Sequence, residues 1–448
     1  MLFHCLLVPE RSGRNVKNVK ESEERRMNVN GAFRFHNVGQ GLFYSGILSK
    51  KSKHNHNVFS FVYDCGTNSD ISFLQREIDD YKLLLPTKGT TSHKKLSLLV
   101  VSHLHDDHVN GIEYLLKDIE VDTVVMPYIN NNLKLFAQLE SHSNNEFLQV
   151  FYTDPVGWFL SKGVHRILFI GSEDIAEKGD SGSLNNESQY VGNRDIDVEQ
   201  QSILKIDHLG ETEILYLKNK AQVDCNGFYW EFHFENLKLN RDKVKGYKKI
   251  VKSFMKERKL TLEQILKSKS HLGDLRKEVK QAFSSNILNR TSVVLLHRPT
   301  ECNMAILCCS PHCNYLKYLK GYFVRRDGAV FSCSTILTGD IELKDDEHLE
   351  MLNQCTSCLL VQYPHHGSEN NYMKYFTDLG ARVNVISYGI TNRYGHPHGR
   401  VLKSLRDIAF VNERDSFSYQ IMIKDFEDEK MTQLADAFPA VSQSCGND

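Results

Sequence analysis

Ten residues, SHLHDDHVNG at 102–111, constrain the fold of this 448-residue chain more than any other stretch. They follow KLSLLVVS (95–102), a continuous apolar run that reads as a strand buried on both faces. After them VNGIEYLLKDI reads as a helix and VDTVVMPY as a further strand. A strand, a polar loop, a helix and a strand in that order predict a layered α/β fold. Inside the loop, His103, His105, Asp107 and His108 form the pattern HxHxDH. Imidazole and carboxylate are donors that zinc, manganese and iron accept. Alternation puts His103 and His105 on one side of an extended loop. Asp107 and His108 lie further along, within reach of a second metal ion. Three histidines and an aspartate in six positions do not serve core packing, where polar groups are buried only at a cost.

Further motifs follow in order. From Phe33, FRFHNV and VFSFVYDCG have strand character, punctuated by Gly39, Gly41 and Gly66. Strands are predicted again at HRILFIG (165–171), TSVVLLHR (291–298), STILTGDI (334–341), CLLVQYPHHGS (358–368) and VNVISYGI (383–390). Helices are expected near 132–160, and the helix-like GRVLKSLRDIAF and the strand FSYQIMIKD close the globular part. HNVGQGLF (36–43), YDCG (63–66), NRTSVVLL (289–296), LTGD (337–340), YPHHGS (363–368) and YGITNRYGHP (388–397) punctuate these elements. Together with HxHxDH they resemble the metallo-β-lactamase superfamily, and within it the soluble hydrolase domain of the competence protein ComEC. The resemblance runs from about residue 33 to 420 and is carried by the two ends of that range.

The resemblance implies a four-layer αββα fold with a large central insertion. It implies that His103, His105, Asp107 and His108 are metal ligands, that Asp340 bridges two ions, and that the HHGS pair supplies one more ligand, His366 in preference to His365. Asp64 would orient the ligand loop. Asp107, Asp340, His365 and His396 would carry the chemistry, with His365, His396 or His398 contacting the phosphate or protonating the leaving oxygen. The cofactor would be two divalent ions, Zn2+ or alternatively Mn2+. Such a pair lowers the pKa of a bridging water and holds the resulting hydroxide for in-line attack. Two departures stand out. Leu42 occupies the position after VGQG where the family has an aspartate, and no separate ligand histidine is evident before Asp340, His297 being the candidate at a strand end.

Composition bounds the rest. The chain has 55 Lys and Arg against 56 Asp and Glu, a net charge of −1. With 41 % hydrophobic residues it has the means to bury a core, which excludes collagen-like, disordered and coiled-coil classes. No apolar run approaches the roughly 18–20 residues of a membrane span. The opening MLFHCLLVPERSGR is a poor signal peptide, and eleven cysteines cannot all pair, so a cytoplasmic protein with reduced thiols is expected. CCSPHC (308–313) with Cys302, Cys333, Cys355 and Cys358 fits no established zinc spacing, so ordinary thiols are the reading. Residues 1–30 read as a disordered leader, 31–420 as the hydrolase domain with a basic, partly helical insertion at about 130–288, and 421–448 as a tail. Residues 238–280 hold 15 Lys or Arg against 5 Asp or Glu, a local charge of +10 against about −11 elsewhere. That block is either a solvated helical face or a footprint for a nucleic-acid backbone.

The resemblance implies a dinuclear phosphodiesterase or nuclease, with DNA or RNA as the partner if the basic segment 238–280 is a footprint. A hydrolase of small nucleotides or phosphoesters is the alternative, and a non-catalytic nucleic-acid-binding module a further one.

Overall fold

The computed structural model describes residues 28–51, 56–87, 93–129, 131–141, 145–172, 195–225, 227–237, 241–282, 287–300, 305–309, 322–324, 332–343, 349–353, 358–371, 376 and 378–424. In β1 (Asn28–Phe35), Val29, Phe33 and Phe35 are buried while Asn30 and Ala32 are exposed, the period-two alternation of a half-buried strand. β1 pairs antiparallel with β2 (Gly41–Lys51), which pairs antiparallel with β3 (His56–Thr67). β4 (Lys94–Val100), β5 (Ile119–Pro127) and β6 (Arg166–Ile170) extend the sheet in parallel. Residues 96–100 of β4 are all buried, as the apolar run predicts.

β7 (Ile196–Val198) opens a second sheet. The hairpin of β8 (Ile203–Leu209) and β9 (Thr212–Leu217) returns to the first. β10 (Lys220–Cys225), β11 (Trp230–Glu235) and β12 (Val294–Pro299) continue the second sheet antiparallel. β13 (Ala305–Cys309) and β14 (Tyr322–Val324) lie at one edge of the first sheet. β15 (Ser332–Leu337), β16 (Cys358–Gln362), β17 (Val383–Ser387) and β18 (Ile408–Val411) form a parallel run in the second, and β19 (Phe417–Lys424) pairs with β1 and β13. The result is an α/β fold built on two mixed sheets, of eleven and eight strands among the described residues.

Among the described residues, three apolar clusters pack against the two sheets. One lies between the sheets and joins Phe33, Phe59 and Phe61 to Trp230, Phe232 and Leu337. A second covers the other face of the large sheet, where Leu74, Ile78 and Tyr81 of helix Ile71–Leu84 recur at helical spacing. The helices Asn131–Glu140, Glu146–Thr153 and Arg241–Arg258 add Phe136, Phe151 and Phe254 to the same cluster. The third sits on the far face of the small sheet and includes Ile336, Val361, Ile386 and Val401. No helix among the described residues is long and apolar enough to cross a membrane.

The structure departs from the sequence reading in three places. Residues 28–30 and 421–424, read as leader and tail, are paired strand residues, with Asn28 opposite Lys424. The stretch 130–288 is not wholly an insertion, because β6 to β11 within it belong to the two sheets. The described residues between β11 and β12 are mostly helical: Arg241–Arg258, Leu262–Lys267, Lys269–Ala282 and Ile287–Arg290. Of VNGIEYLLKDI only Ile112–Leu115 forms a helical turn of its own, Val109 ending the preceding turn Asp106–Val109. Gly111 between them donates its N–H to the Cys65 carbonyl at 2.9 Å, which ties the break to β3.

Candidate metal centre

The chemistry-bearing residues gather where parallel strands of both sheets end. Asp64 lies near the end of β3 and His103 to His108 follow β4; Asp340 follows β15, His365 and His366 follow β16, and His396 lies on the loop after β17. Carboxyl ends of parallel strands are where loops converge on a common cleft in open α/β folds. Gly66 permits a close approach of two backbones there. A Cβ on it would meet the backbone carbon of Asp107 and the nitrogen of His108, each at 2.5 Å. At the LTGD turn, Gly339 takes a φ of +55°, which glycine adopts without steric cost, and Gln362 Oε1 accepts from the N–H groups of Thr338 and Gly339 at 2.8 and 2.9 Å.

Donor atoms fall into two groups, each within 4.8 Å: His103, His105 and Asp340, and Asp107, His108 and His366. Asp340 joins them, with Oδ2 at 3.9 Å from His103 Nε2 and Oδ1 at 3.2 Å from His108 Nε2 and 3.9 Å from His366 Nε2. Asp107 Oδ2 lies 3.4 Å from His366 Nε2. Every residue in the two groups except the half-buried His105 is buried.

Each imidazole is oriented by a partner on its outward nitrogen. Ser102 donates its hydroxyl to Asp64 Oδ2 at 2.6 Å, so His103 Nδ1 donates to that hydroxyl oxygen at 2.9 Å. His108 Nδ1 donates to Asp64 Oδ2 at 2.7 Å, and His366 Nδ1 to the Ser387 carbonyl at 2.8 Å. His105 is reversed: its Nε2 lies 3.2 Å from Glu140 Oε2. In the neutral rings the inward nitrogens, Nε2 of His103, His108 and His366 and Nδ1 of His105, therefore offer lone pairs to the centre. His103 Nε2 and His105 Nδ1 face each other at 2.9 Å, a repulsive arrangement for two lone pairs unless a cation lies between them. His108 Nε2, Asp340 Oδ1 and His366 Nε2 are buried outside hydrogen-bond geometry with any described residue. Buried polar atoms left this way point to a ligand. The donor set thus fits divalent metal ions in both chemistry and orientation.

The electrostatics agree. Burial raises the Asp340 carboxyl, but the His108, His365 and His366 imidazoles overcome it and hold the group well below the carboxylate range. Burial lowers His108, yet Asp340 and Asp64 outweigh it and push the ring well above its ordinary value. Any cation at this position feels the same attraction.

Other expected residues divide. His365 is 29 % exposed, with Nε2 3.8 Å from Asp340 Oδ2 and Nδ1 2.9 Å from Asn371 Oδ1. The His396 ring lies 5.7 Å from that of His365, and its Nδ1 is buried without a hydrogen-bond partner among the described residues. Burial, then the facing His365 and His366 rings, lower His396 to about 4. His398 caps the short helix Gly399–Ser404 and meets Glu369 at 3.3 Å, away from the donor groups. His297 is not a ligand candidate after all. It lies in the inter-sheet core, where Trp230 Nε1 donates to its Nδ1 at 3.3 Å and its Nε2 meets the Tyr44 hydroxyl at 2.8 Å. Leu42 belongs to the same core. Cys333 and Cys358 are buried in different apolar clusters, while Cys302, Cys313 and Cys355 lie outside the described residues.

The sequence reading missed Glu140, Ser102, Gln362 and Asn371. Ser102 sat within the motif; Glu140 lies 35 residues from His105 on another helix, with no local signal. The insertion supports that helix, because Arg276 donates to the carbonyls of Gln138, Leu139 and Ser141 at its end. Above the donors opens a cleft of ≈ 1310 Å³, walled by Phe136, Glu140 and Val279 on one side and Ile390, Arg393 and Tyr394 on the other.

No protein-family model matches the chain. Among curated proteins, ribonuclease J of Mycoplasma pneumoniae (strain ATCC 29342 / M129 / Subtype 1) is 25 % identical over 104 residues, 22 % of this chain. The shared stretch spans 17 % of that protein's length.

Proposed function

We propose that the chain is a metal-dependent hydrolase of the metallo-β-lactamase superfamily with the four-layer αββα fold, and that residues 31–420 form its hydrolase domain. Its substrate is a phosphodiester, and the particular reading is a nuclease. The observation that carries this reading is the orientation of four imidazoles, each tied on its outer nitrogen, around a shared carboxylate. The ordered ComEC-type motifs and the partial similarity to a ribonuclease support the phosphodiester class.

His103, His105 and Asp340 would hold one ion and Asp107, His108 and His366 the other, Zn2+ or alternatively Mn2+, with Asp340 shared. Two such ions supply an activated water near neutral pH and neutralise charge developing on the phosphoryl oxygens. Asp64 keeps His108 in one tautomer and, through Ser102, does the same for His103. Glu140 does this for His105. His365 and His396, on the open side of the donors, contact the phosphate or pass a proton to the leaving oxygen. The basic helices of 238–280 hold the nucleic-acid backbone by charge. Buried thiols at Cys65, Cys225 and Cys333 that form no disulfide accord with a reducing, cytoplasmic setting.

The test is metal analysis paired with cleavage of single-stranded DNA, duplex DNA, RNA and bis-p-nitrophenyl phosphate by wild type and Asp107→Ala. Metal-dependent cleavage lost in the variant is expected. A wild type that holds metal, cleaves none of these and binds DNA as well as the variant does would make the chain a binding module.

A further inference from the structure

The loop after β17 carries an aromatic side chain that the metal chemistry does not use. Tyr394 is 64 % exposed on the wall of the cleft. One face of its ring stacks on His396, with centroids 5.9 Å apart and planes 15° apart. His396 in turn meets the edge of His365 at 5.7 Å, and His365 Nε2 is 3.8 Å from Asp340. A line of rings therefore leads from the cleft rim to the shared carboxylate, two ring-to-ring steps long.

The loop is organised before any ligand arrives. Asn392 Oδ1 accepts the N–H groups of Tyr394 and His396, both at 3.1 Å. Its Nδ2 donates to the Gly389 and His396 carbonyls at 2.6 and 2.7 Å. Glu413 anchors the loop start by accepting the Ile390 N–H at 2.9 Å. A side chain held on such a loop binds without first paying to order its backbone. Arg393, next to Tyr394 in the chain, and Arg414 on the adjoining loop are exposed and line the same cleft, so cationic side chains share the cleft with the aromatic ring.

A largely exposed aromatic ring in a cleft that also holds cationic side chains, two ring-to-ring steps from the shared carboxylate, matches a nucleobase flanked by phosphates. Every base presents a π-face, so stacking tolerates sequence. In a duplex that face is covered by neighbouring pairs and only base edges are offered in the grooves. We propose that Tyr394 is a stacking platform for an unpaired nucleobase next to the scissile phosphate, so that the substrate is single-stranded nucleic acid. This rests on the phosphodiesterase reading for the position of the phosphate; the stacking itself does not need turnover.

The test is binding of labelled oligothymidylate and oligouridylate, phosphorothioate-linked to resist cleavage, and of a duplex of equal length. Wild type, Tyr394→Ala and Tyr394→Phe are compared at fixed salt by fluorescence anisotropy. Tyr394→Ala is expected to weaken single-strand binding roughly 5- to 150-fold, Tyr394→Phe to retain it, and the duplex to be indifferent to both. The thymidylate and uridylate arms separate DNA from RNA as the source of the base. Equal single-strand affinity in Tyr394→Ala, an equal loss on duplex, or no single-strand binding by wild type overturns the proposal. If the binding pattern holds while the unmodified oligonucleotides are never cleaved, the platform stands and the hydrolase reading falls.

Discussion

Glu140 on helix Asn131–Glu140 holds His105 in the ligand loop, with Oε2 3.2 Å from Nε2. The carboxylate comes from the outer helical layer and decides which nitrogen of the ring faces the centre. Glu140→Ala removes that constraint, and loss of such an orienting partner lowers metal affinity by about 10- to 100-fold. Competition with a chromophoric chelator measures this. Glu140→Gln, which keeps an acceptor oxygen, should lie between the two. Arg276→Ala should move in the same direction by a smaller factor, because it loosens the end of the Glu140 helix rather than the contact itself.

Asp107 and Asp340 differ in how many donor groups they serve. Asp107 belongs to one and Asp340 lies against both. Metal analysis by mass spectrometry should find two ions per wild-type chain. Asp107→Ala should retain one and Asp340→Ala neither at the same free metal concentration. An unchanged stoichiometry in Asp340→Ala would remove it from the bridging role.

Burial alone pulls His297 from 6.5 down to about 3. The unfolded chain then binds a proton there below about pH 6.5 that the folded chain does not take up until about pH 3. Stability from this group is complete above pH 6.5 and is lost as the pH falls through that window, by at most about 1.4 kcal/mol per pH unit. Urea unfolding of wild type and His297→Gln between pH 4 and 7 tests it. The variant should lose stability overall but show the shallower slope with pH, and parallel slopes would contradict the assignment.

Gly66→Ala puts a methyl against the Asp107 and His108 backbone, which has no side-chain freedom with which to yield. Overpacking of this kind costs about 1–3 kcal/mol. A lowered melting temperature together with weakened metal binding is the expected outcome, since the atoms displaced carry two of the donors.

Lys248, Lys249, Lys252 and Lys256 lie exposed on helix Arg241–Arg258, opposite the buried Tyr247, Val251 and Phe254. Changing the four to serine should leave the melting temperature in place. It should also flatten the salt dependence of single-strand binding, by about 0.7 in log–log slope for each lysine that meets a phosphate. An unchanged slope would make this face merely solvated.

Much of the site was legible along the chain, for a chemical reason. Metal affinity is a property of side-chain type, and HxHxDH, LTGD and HHGS concentrate the right types within a few residues. Strand character around them was equally local, as in the buried run of β4. The helical insertion was visible as a charge block, but the strands at 166–170 and 196–235 were not read as parts of the two sheets, since the pairings that tie them in, such as Thr123 with Arg166 and Glu235 with Val294, are not local.

The sequence by itself thus determined which donors this protein brings to its cleft. Only the tertiary structure decided which nitrogen of each ring faces inward, because that depends on hydrogen bonds to Asp64, Glu140 and the Ser387 carbonyl, 44, 35 and 21 residues away. The same long-range packing withdrew His297, whose surroundings Trp230 and Tyr44 supply from 67 and 253 residues off. Ligand chemistry is written residue by residue, whereas orientation is a relation between distant segments that exists only once the sheets have closed over their common core.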